Sequence, residues 1–141
     1  MIVDILAVAP GSLDVWNETA RDNLPLYVKL WLGLMMLNNL AAIAFLKNHV
    51  AARWVFVGFV ISHLLVILGY WGTGTPIVAG QVSLFHIIFW TPGLIMLWRY
   101  RSEFVWPSAY AVWVALVCVF YFGSMTVDIK DAVIFLSHSA S

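Results

Sequence analysis

Two asparagines and a histidine are polar residues of this sequence that could meet inside its apolar segments. Asn38 lies eight residues from one end of its predicted helix, and His63 lies nine residues from the same end of the next. At about 1.5 Å per residue, the two side chains have nearly the same membrane depth. We predict that Asn38 or Asn39 bonds His63 and links two helices, a contact that contributes about 0.6–2 kcal/mol. A water-lined or ligand passage and a cofactor site are the alternatives.

His86 is the second histidine of the apolar segments, offset from His63 by about 6 Å along the helix axes. Two histidines on adjacent helices can ligate one haem iron if the macrocycle tilts. One alternative function is therefore a redox membrane anchor that holds b-type haem and exchanges electrons with a quinone. The other interpretation of His86 is a hydrogen bond to Ser83 or to nearby backbone. No metal site is predicted, since the single Cys118 cannot build a thiolate site.

A proline interrupts the third apolar segment. Pro92 has no N–H, so the carbonyl of Ile88 loses its usual partner and a kink is expected. Carbonyls freed in this way can line a passage. A channel or carrier for a small neutral or hydrophobic solute, passing the Asn38 and His63 level, is therefore a further alternative. Trp90 lies well inside this segment and is expected to pack or face lipid rather than stack on a cofactor.

The sequence shows no set of residues that is arranged for catalysis. Ser62 and His63 project roughly 100° apart on a helix, so they are not expected to form a nucleophile–base pair. Ser83 and His86 have no evident orienting acid. No acid falls in the predicted central membrane zone, which disfavours a proton-coupled carrier. The sequence therefore favours a non-enzymatic role.

The elements that position these residues follow from composition and charge. The chain has 141 residues, of which 63% are hydrophobic and 10% charged, whereas soluble domains have about 25% charged residues. The longest run without a formal charge, 45 residues between Arg53 and Arg99, is broken by glycines and a proline at 72–76. We predict an all-α polytopic membrane protein with one domain, 1–141, in which two hairpins form a compact bundle. Its four spans are predicted at about 26–46, 54–71, 82–98 and 106–125.

The distribution of charge predicts the orientation of these spans. Four of the seven Lys and Arg residues lie in the first and third loops, whereas six of the seven acids lie in the tails. Basic loops stay in the cytoplasm, so both termini are expected on the periplasmic side of a bacterial inner membrane. His49 and His138 are expected to be solvated. No basic cluster indicates nucleic-acid binding.

Both tails have amphipathic patterns. Residues 12–18 carry a helix-start signal of capping residues followed by an acid. In the C-terminal tail, Ile129, Val133 and Leu136 share one helical face. We expect both tails to lie along the membrane surface or to cover the helix ends.

Small residues recur at helical spacing on two predicted spans, and such stripes let helices approach closely. They are Gly58, Ser62 and Gly69 on the second span, and Ser108, Ala111, Ala115 and Cys118 on the fourth. We expect them to close the bundle, with contacts between protomers as the alternative. Our leading hypothesis is a protein that acts by association, as an accessory or assembly subunit of a membrane complex or as a homo-oligomer, in contact with lipid.

Overall fold

The computed structural model describes residues 13–16 and 22–140. Within them lie four helices that are long and apolar enough to cross a membrane, which confirms the predicted all-helical, four-span membrane protein. They are α1 (Leu26–Ala41), α2 (Val50–Thr73), α3 (Ala79–Arg99) and α4 (Ala109–Ser139). A 3-10 turn at Ala42–Phe45 extends α1, and another at Arg101–Glu103 follows α3.

The hairpin between α2 and α3 is closed by a glycine and by the N-terminal segment. Gly74 ends α2 in the left-handed conformation, with φ 64°, which glycine adopts without a steric penalty. The Trp16 N–H donates to the Ile77 carbonyl over 2.8 Å, and the Ala79 N–H donates to the Asp14 carbonyl over 2.9 Å. Residues 13–16 therefore dock on this loop, while the rest of the predicted helix-start segment at 12–18 lies outside the described residues.

Helix α4 is longer than its predicted span. The Ser108 side chain caps it by accepting the Ala111 N–H over 3.1 Å. Its 31 residues correspond to about 46 Å, against a hydrocarbon core of about 30 Å. The segment 129–136, predicted as a tail, continues α4 without a break. The part of α4 beyond Met125 includes the buried residues Asp128 and Asp131.

Helix α3 is central, because it packs along both α2 and α4, whereas α1 contacts α4 and α2 more sparsely and its 3-10 extension packs on α2. At the α2–α3 contact, a Cβ on Gly58 would overlap the Phe89 carbonyl oxygen, and a Cβ on Gly93 would lie 3.1 Å from the Val55 Cα. The backbones of α2 and α3 therefore touch directly at two levels.

The two predicted small-residue stripes have different surroundings. On α2, Gly58 and Ser62 are buried, and a Cβ on Gly69 would meet the Ile77 side chain at 2.8 Å. On α4, Ala111 is buried and Cys118 is half-buried, but Ala115 is exposed. The packed face of α4 is formed instead by large side chains, which include Trp113, Val117, Phe120 and Tyr121.

Candidate functional site

An imidazole–carboxylate pair joins α3 to α4 near the end of the bundle that carries the α2–α3 loop. His86 Nδ1 lies 3.2 Å from Asp128 Oδ2, and both side chains are largely buried. Asp128 reaches this place because α4 continues past Met125 and because Asp128 lies seven residues, about two turns, after the buried Tyr121. Sequence reasoning assigned Asp128 to a tail, and the seven-residue spacing from Tyr121 is the signal that could have identified it.

His63 forms its hydrogen bonds within its own helix. Its Nδ1 donates to the Phe59 carbonyl over 2.8 Å. The predicted bond from Asn38 or Asn39 to His63 is not formed in the described part of the chain, because this carbonyl one turn away is within reach. The two ring centroids of His63 and His86 lie 6.1 Å apart, with an interplanar angle of 32°.

Ser62 and His63 are closer together than their helical positions predict. Ser62 Oγ lies 3.3 Å from His63 Nδ1, because both side chains bend toward the Phe59 carbonyl. A carbonyl oxygen only accepts hydrogen bonds, so the Nδ1 that points to it carries a proton. That nitrogen cannot act as a base toward Ser62, and a nucleophile–base pair is not formed.

Trp90 is the centre of a stack of rings in the bundle interior. It is completely buried, and its ring stacks on His86 at 4.1 Å and on Tyr121 at 4.4 Å. Its Nε1–H donates to Ser62 Oγ over 3.1 Å. The sequence predicted that Trp90 packs or faces lipid; it packs, and Tyr121 was not identified. Helix α3 continues through Pro92 to Arg99.

The two asparagines bond to aromatic residues of α4. Tyr121 donates its hydroxyl hydrogen to Asn39 Oδ1 over 2.6 Å, and Asn39 Nδ2 donates to the Met35 carbonyl. Trp113 donates its Nε1–H to the Asn38 backbone carbonyl over 2.9 Å. The Asn38 Nδ2 is buried and has no hydrogen-bond partner among the described residues. The asparagine pair therefore joins α1 to α4, and not to α2.

A second imidazole–carboxylate pair lies at the opposite end of the bundle. His49 Nδ1 is 2.7 Å from Glu103 Oε2, and the His49 ring stacks on Tyr110 with centroids 3.5 Å apart. His49 was expected to be solvated, and that expectation is wrong. The pair joins the α1–α2 loop to the α3–α4 loop, a contact between residues 54 positions apart that local sequence patterns do not encode.

The space between His63 and His86 decides whether a haem could bind to both rings. A haem bound by both rings would have to stand between α2 and α3. The backbones touch at Gly58 and Phe89, and Gly58 is only about 7.5 Å from His63 along the axis. One face of the His86 ring is covered by Trp90 at 4.1 Å. A macrocycle therefore does not fit between the two rings in this packing.

Both rings nevertheless have one nitrogen available. The Nδ1 atoms of His63 and His86 are taken by the Phe59 carbonyl and the Asp128 carboxylate. In a neutral imidazole whose Nδ1 donates, Nε2 carries the lone pair and can accept a hydrogen bond or ligate a metal. Among the described residues there is no group of three or more His, Cys, Asp or Glu side chains that could hold a metal ion.

Comparison with known proteins adds no assignment, since no family model, no curated protein and no solved structure matches this chain. The fold and the site define the class by themselves. The chain is a small four-helix membrane protein whose interior is filled by stacked rings and by polar groups that mostly pair with one another.

Proposed function

We propose that this chain is an integral membrane protein that acts by association, and that its α1 packs against α1 of a second copy. The observation that carries the proposal is Gly33. A Cβ built at Gly58, Gly69, Gly93 or Gly123 would contact a neighbouring residue, whereas one at Gly33 has no atom within 4 Å. Gly72 also has no atom within 4 Å, but it lies in the last turn of α2, whereas Gly33 lies in the middle of α1.

Gly33 lies in the middle of an exposed stripe of leucines. The stripe alternates spacings of four and three residues, which is the seam of a left-handed helix pair. All its members are exposed: Leu26, Leu30, Gly33, Leu37 and Leu40. The opposite face of α1, with Met35, Asn38 and Asn39, is buried against the bundle. The stripe, which we call the α1 seam, therefore faces away from the protein's own core.

Lipid contact alone does not account for a glycine on this face. Glycine in a helix interior is less favourable than alanine by about 1 kcal/mol, and acyl chains gain nothing from the missing side chain. A second helix does gain, because glycine lets two backbones approach closely. This favours a protein partner for the α1 seam over lipid.

A second copy is the partner that the seam fits. Two copies inserted with the same orientation present their seams at the same depth. A twofold axis along the membrane normal then pairs Gly33 with Gly33, and Leu30 and Leu37 flank it on both sides. The interior also favours association over transport, because Asn39, Ser62 and His86 are bonded to buried partners rather than to a passage.

Counting labelled molecules in proteoliposomes tests the proposal. Wild-type protein is expected to change from pairs to single copies as it is diluted in lipid. Gly33→Leu is expected to weaken pairing at least about tenfold, or about 1.4 kcal/mol, since it fills the close contact. Ala115→Leu, an exposed small residue on α4, is the matched control and is expected to pair normally. Single copies at every dilution, or equal pairing of Gly33→Leu, would overturn the proposal.

We further propose the bacterial inner membrane as the location, with both termini on the periplasmic side. The supporting observation is that Lys47, Arg53, Arg99 and Arg101 are exposed at one end of the bundle, and such residues stay in the cytoplasm. The end that carries the loop after Thr73 has no charged residue in that loop.

A further inference from the structure

We propose that His63 and His86 together bind a single copper(I) ion through their Nε2 atoms. This site lies on α2 and α3, so the inference goes beyond association through the α1 seam and does not depend on it. It rests on the tautomers of the two rings, on the distance between them and on the charge around them.

The hydrogen bonds of the two rings prepare both Nε2 atoms to act as ligands. His63 Nδ1 points at the Phe59 carbonyl and His86 Nδ1 at the Asp128 carboxylate, and these groups accept hydrogen bonds only. Metal-ligating histidines usually donate their second ring N–H to such a carbonyl or carboxylate, which fixes the tautomer and the ring orientation. Here both histidines show that arrangement, on neighbouring helices.

The separation of the rings fits one shared ion. With a metal–nitrogen bond of about 2.0–2.1 Å, an ion lies roughly 3 Å from each imidazole centroid, so two rings on opposite sides of it have centroids roughly 6 Å apart. The observed separation of His63 and His86 is 6.1 Å. A tetrahedral angle at the ion would need a separation of roughly 5 Å. The distance therefore leaves room for a nearly linear, two-nitrogen geometry in which both Nε2 atoms turn toward the shared ion.

Copper(I) is the ion that this geometry and charge favour. Imidazole nitrogens suit copper, and copper(I) accepts two ligands in a line, whereas structural zinc sites are almost always completed with four. In the described part of the chain no third His, Cys, Asp or Glu completes a metal-binding group. The cost of burying an ion rises with the square of its charge, so a single positive charge is less costly here than a double one. The Asp128 carboxylate can balance it.

The surroundings hold the rings in place before an ion arrives. Trp90 stacks on His86 and is itself fixed by its hydrogen bond to Ser62. The direct backbone contact at Gly58 keeps α2 against α3. A bare ion needs no separation of these helices, in contrast to a haem.

The test is a competition titration of the full-length protein in detergent with copper(I) and a copper(I) chelator, under a reducing atmosphere. One ion per chain is expected. Both His63→Ala and His86→Ala should abolish the competition, and Asp128→Asn should weaken binding about 10–100-fold, as loss of such a supporting group does. The matched controls are His49→Ala and His138→Ala, which are expected to bind as the wild type does.

Two further measurements keep the test decisive. X-ray absorption at the copper edge of the wild-type complex needs no variant and should show two nitrogen neighbours and no sulfur. Gly33→Leu should bind copper normally, which separates failure of this inference from failure of the proposed association. Absence of one-to-one binding, a sulfur ligand, or full binding by folded His63→Ala would overturn the copper site.

Discussion

The hydroxyl of Tyr121 and the amide oxygen of Asn39 lie 2.6 Å apart in the middle of the bundle. Both side chains are completely buried, and Asn39 also donates its amide hydrogen to the Met35 carbonyl. When a buried polar group loses its hydrogen-bond partner, the cost of removing that group from water is no longer offset by the bond. The bond therefore fixes how α1 meets α4, because another rotation of α1 would leave both groups unpaired.

Replacing Tyr121 by phenylalanine tests this contact. Tyr121→Phe keeps the ring that stacks on Trp90 but leaves Asn39 Oδ1 without a donor. We expect a loss of about 0.6–1.7 kcal/mol in the free energy of unfolding, the range typical of hydrogen bonds in membrane bundles. Reversible unfolding in mixed micelles measures it. Tyr70→Phe, at an exposed tyrosine, is the control, and equal stability of the two variants would contradict the argument.

The sequence predicted that asparagines join helices here, but the structure gives them other partners. Depth along a helix follows from counting residues, so Asn38 and His63 could be placed at a similar level. The rotation of each helix about its axis depends on tertiary packing. Because the hydrophobic residues surround these helices on all sides, the pattern does not define a buried face, and Tyr121 and Trp113 were not identified as partners.

At the scale of elements, the contact between α2 and α3 organises the bundle. Gly58 and Gly93 bring the two backbones together, and this contact fixes the relative position of His63 and His86. The Asp128 pair ties α3 to α4 at one end of the bundle, and the Glu103 pair ties the α1–α2 loop to the α3–α4 loop at the other. Apolar contacts alone would let neighbouring helices shift along one another. The polar pairs at the two ends of the bundle oppose such a shift.

Gly58→Ala tests the importance of this backbone contact. The added methyl group would overlap the Phe89 carbonyl oxygen, which is rigid backbone and cannot rotate away. We expect destabilisation of about 1–3 kcal/mol, the usual cost of overpacking. Gly72→Ala adds the same group where nothing lies within 4 Å and should be nearly neutral. Equal unfolding free energies for the two variants would show that α2 and α3 do not touch there.

Element boundaries show which parts of the fold the sequence could predict. Gaps between charged residues were sufficient for four spanning helices, because charges are costly in a bilayer. The same criterion ended the fourth span at Met125, although α4 continues to Ser139. Hydropathy marks the membrane boundary, whereas a helix ends where its backbone hydrogen bonds end. Asp128 was therefore assigned to the wrong environment.

At the scale of the whole molecule, the asymmetry of charge predicts how the bundle sits in the membrane. A reporter enzyme that is active only in the periplasm, fused after Ser141, should be active. The same reporter fused after Lys47, in the exposed α1–α2 loop, should be inactive, because the proposed orientation places Lys47 and Arg53 on the cytoplasmic side. The reverse result would contradict the proposed orientation while leaving the fold unchanged.

Association through the α1 seam is the central claim, and cysteine cross-linking in native membranes tests it most directly. Single cysteines would be placed along α1 in a Cys118→Ser background. Cross-linked pairs should peak at Leu30, Gly33 and Leu37, where the seams would meet. They should be weaker at the exposed control positions Met36 and Ile43, which flank the seam and do not lie on it. Equal cross-linking at all five positions, or none at both Leu30 and Leu37, would contradict the claim.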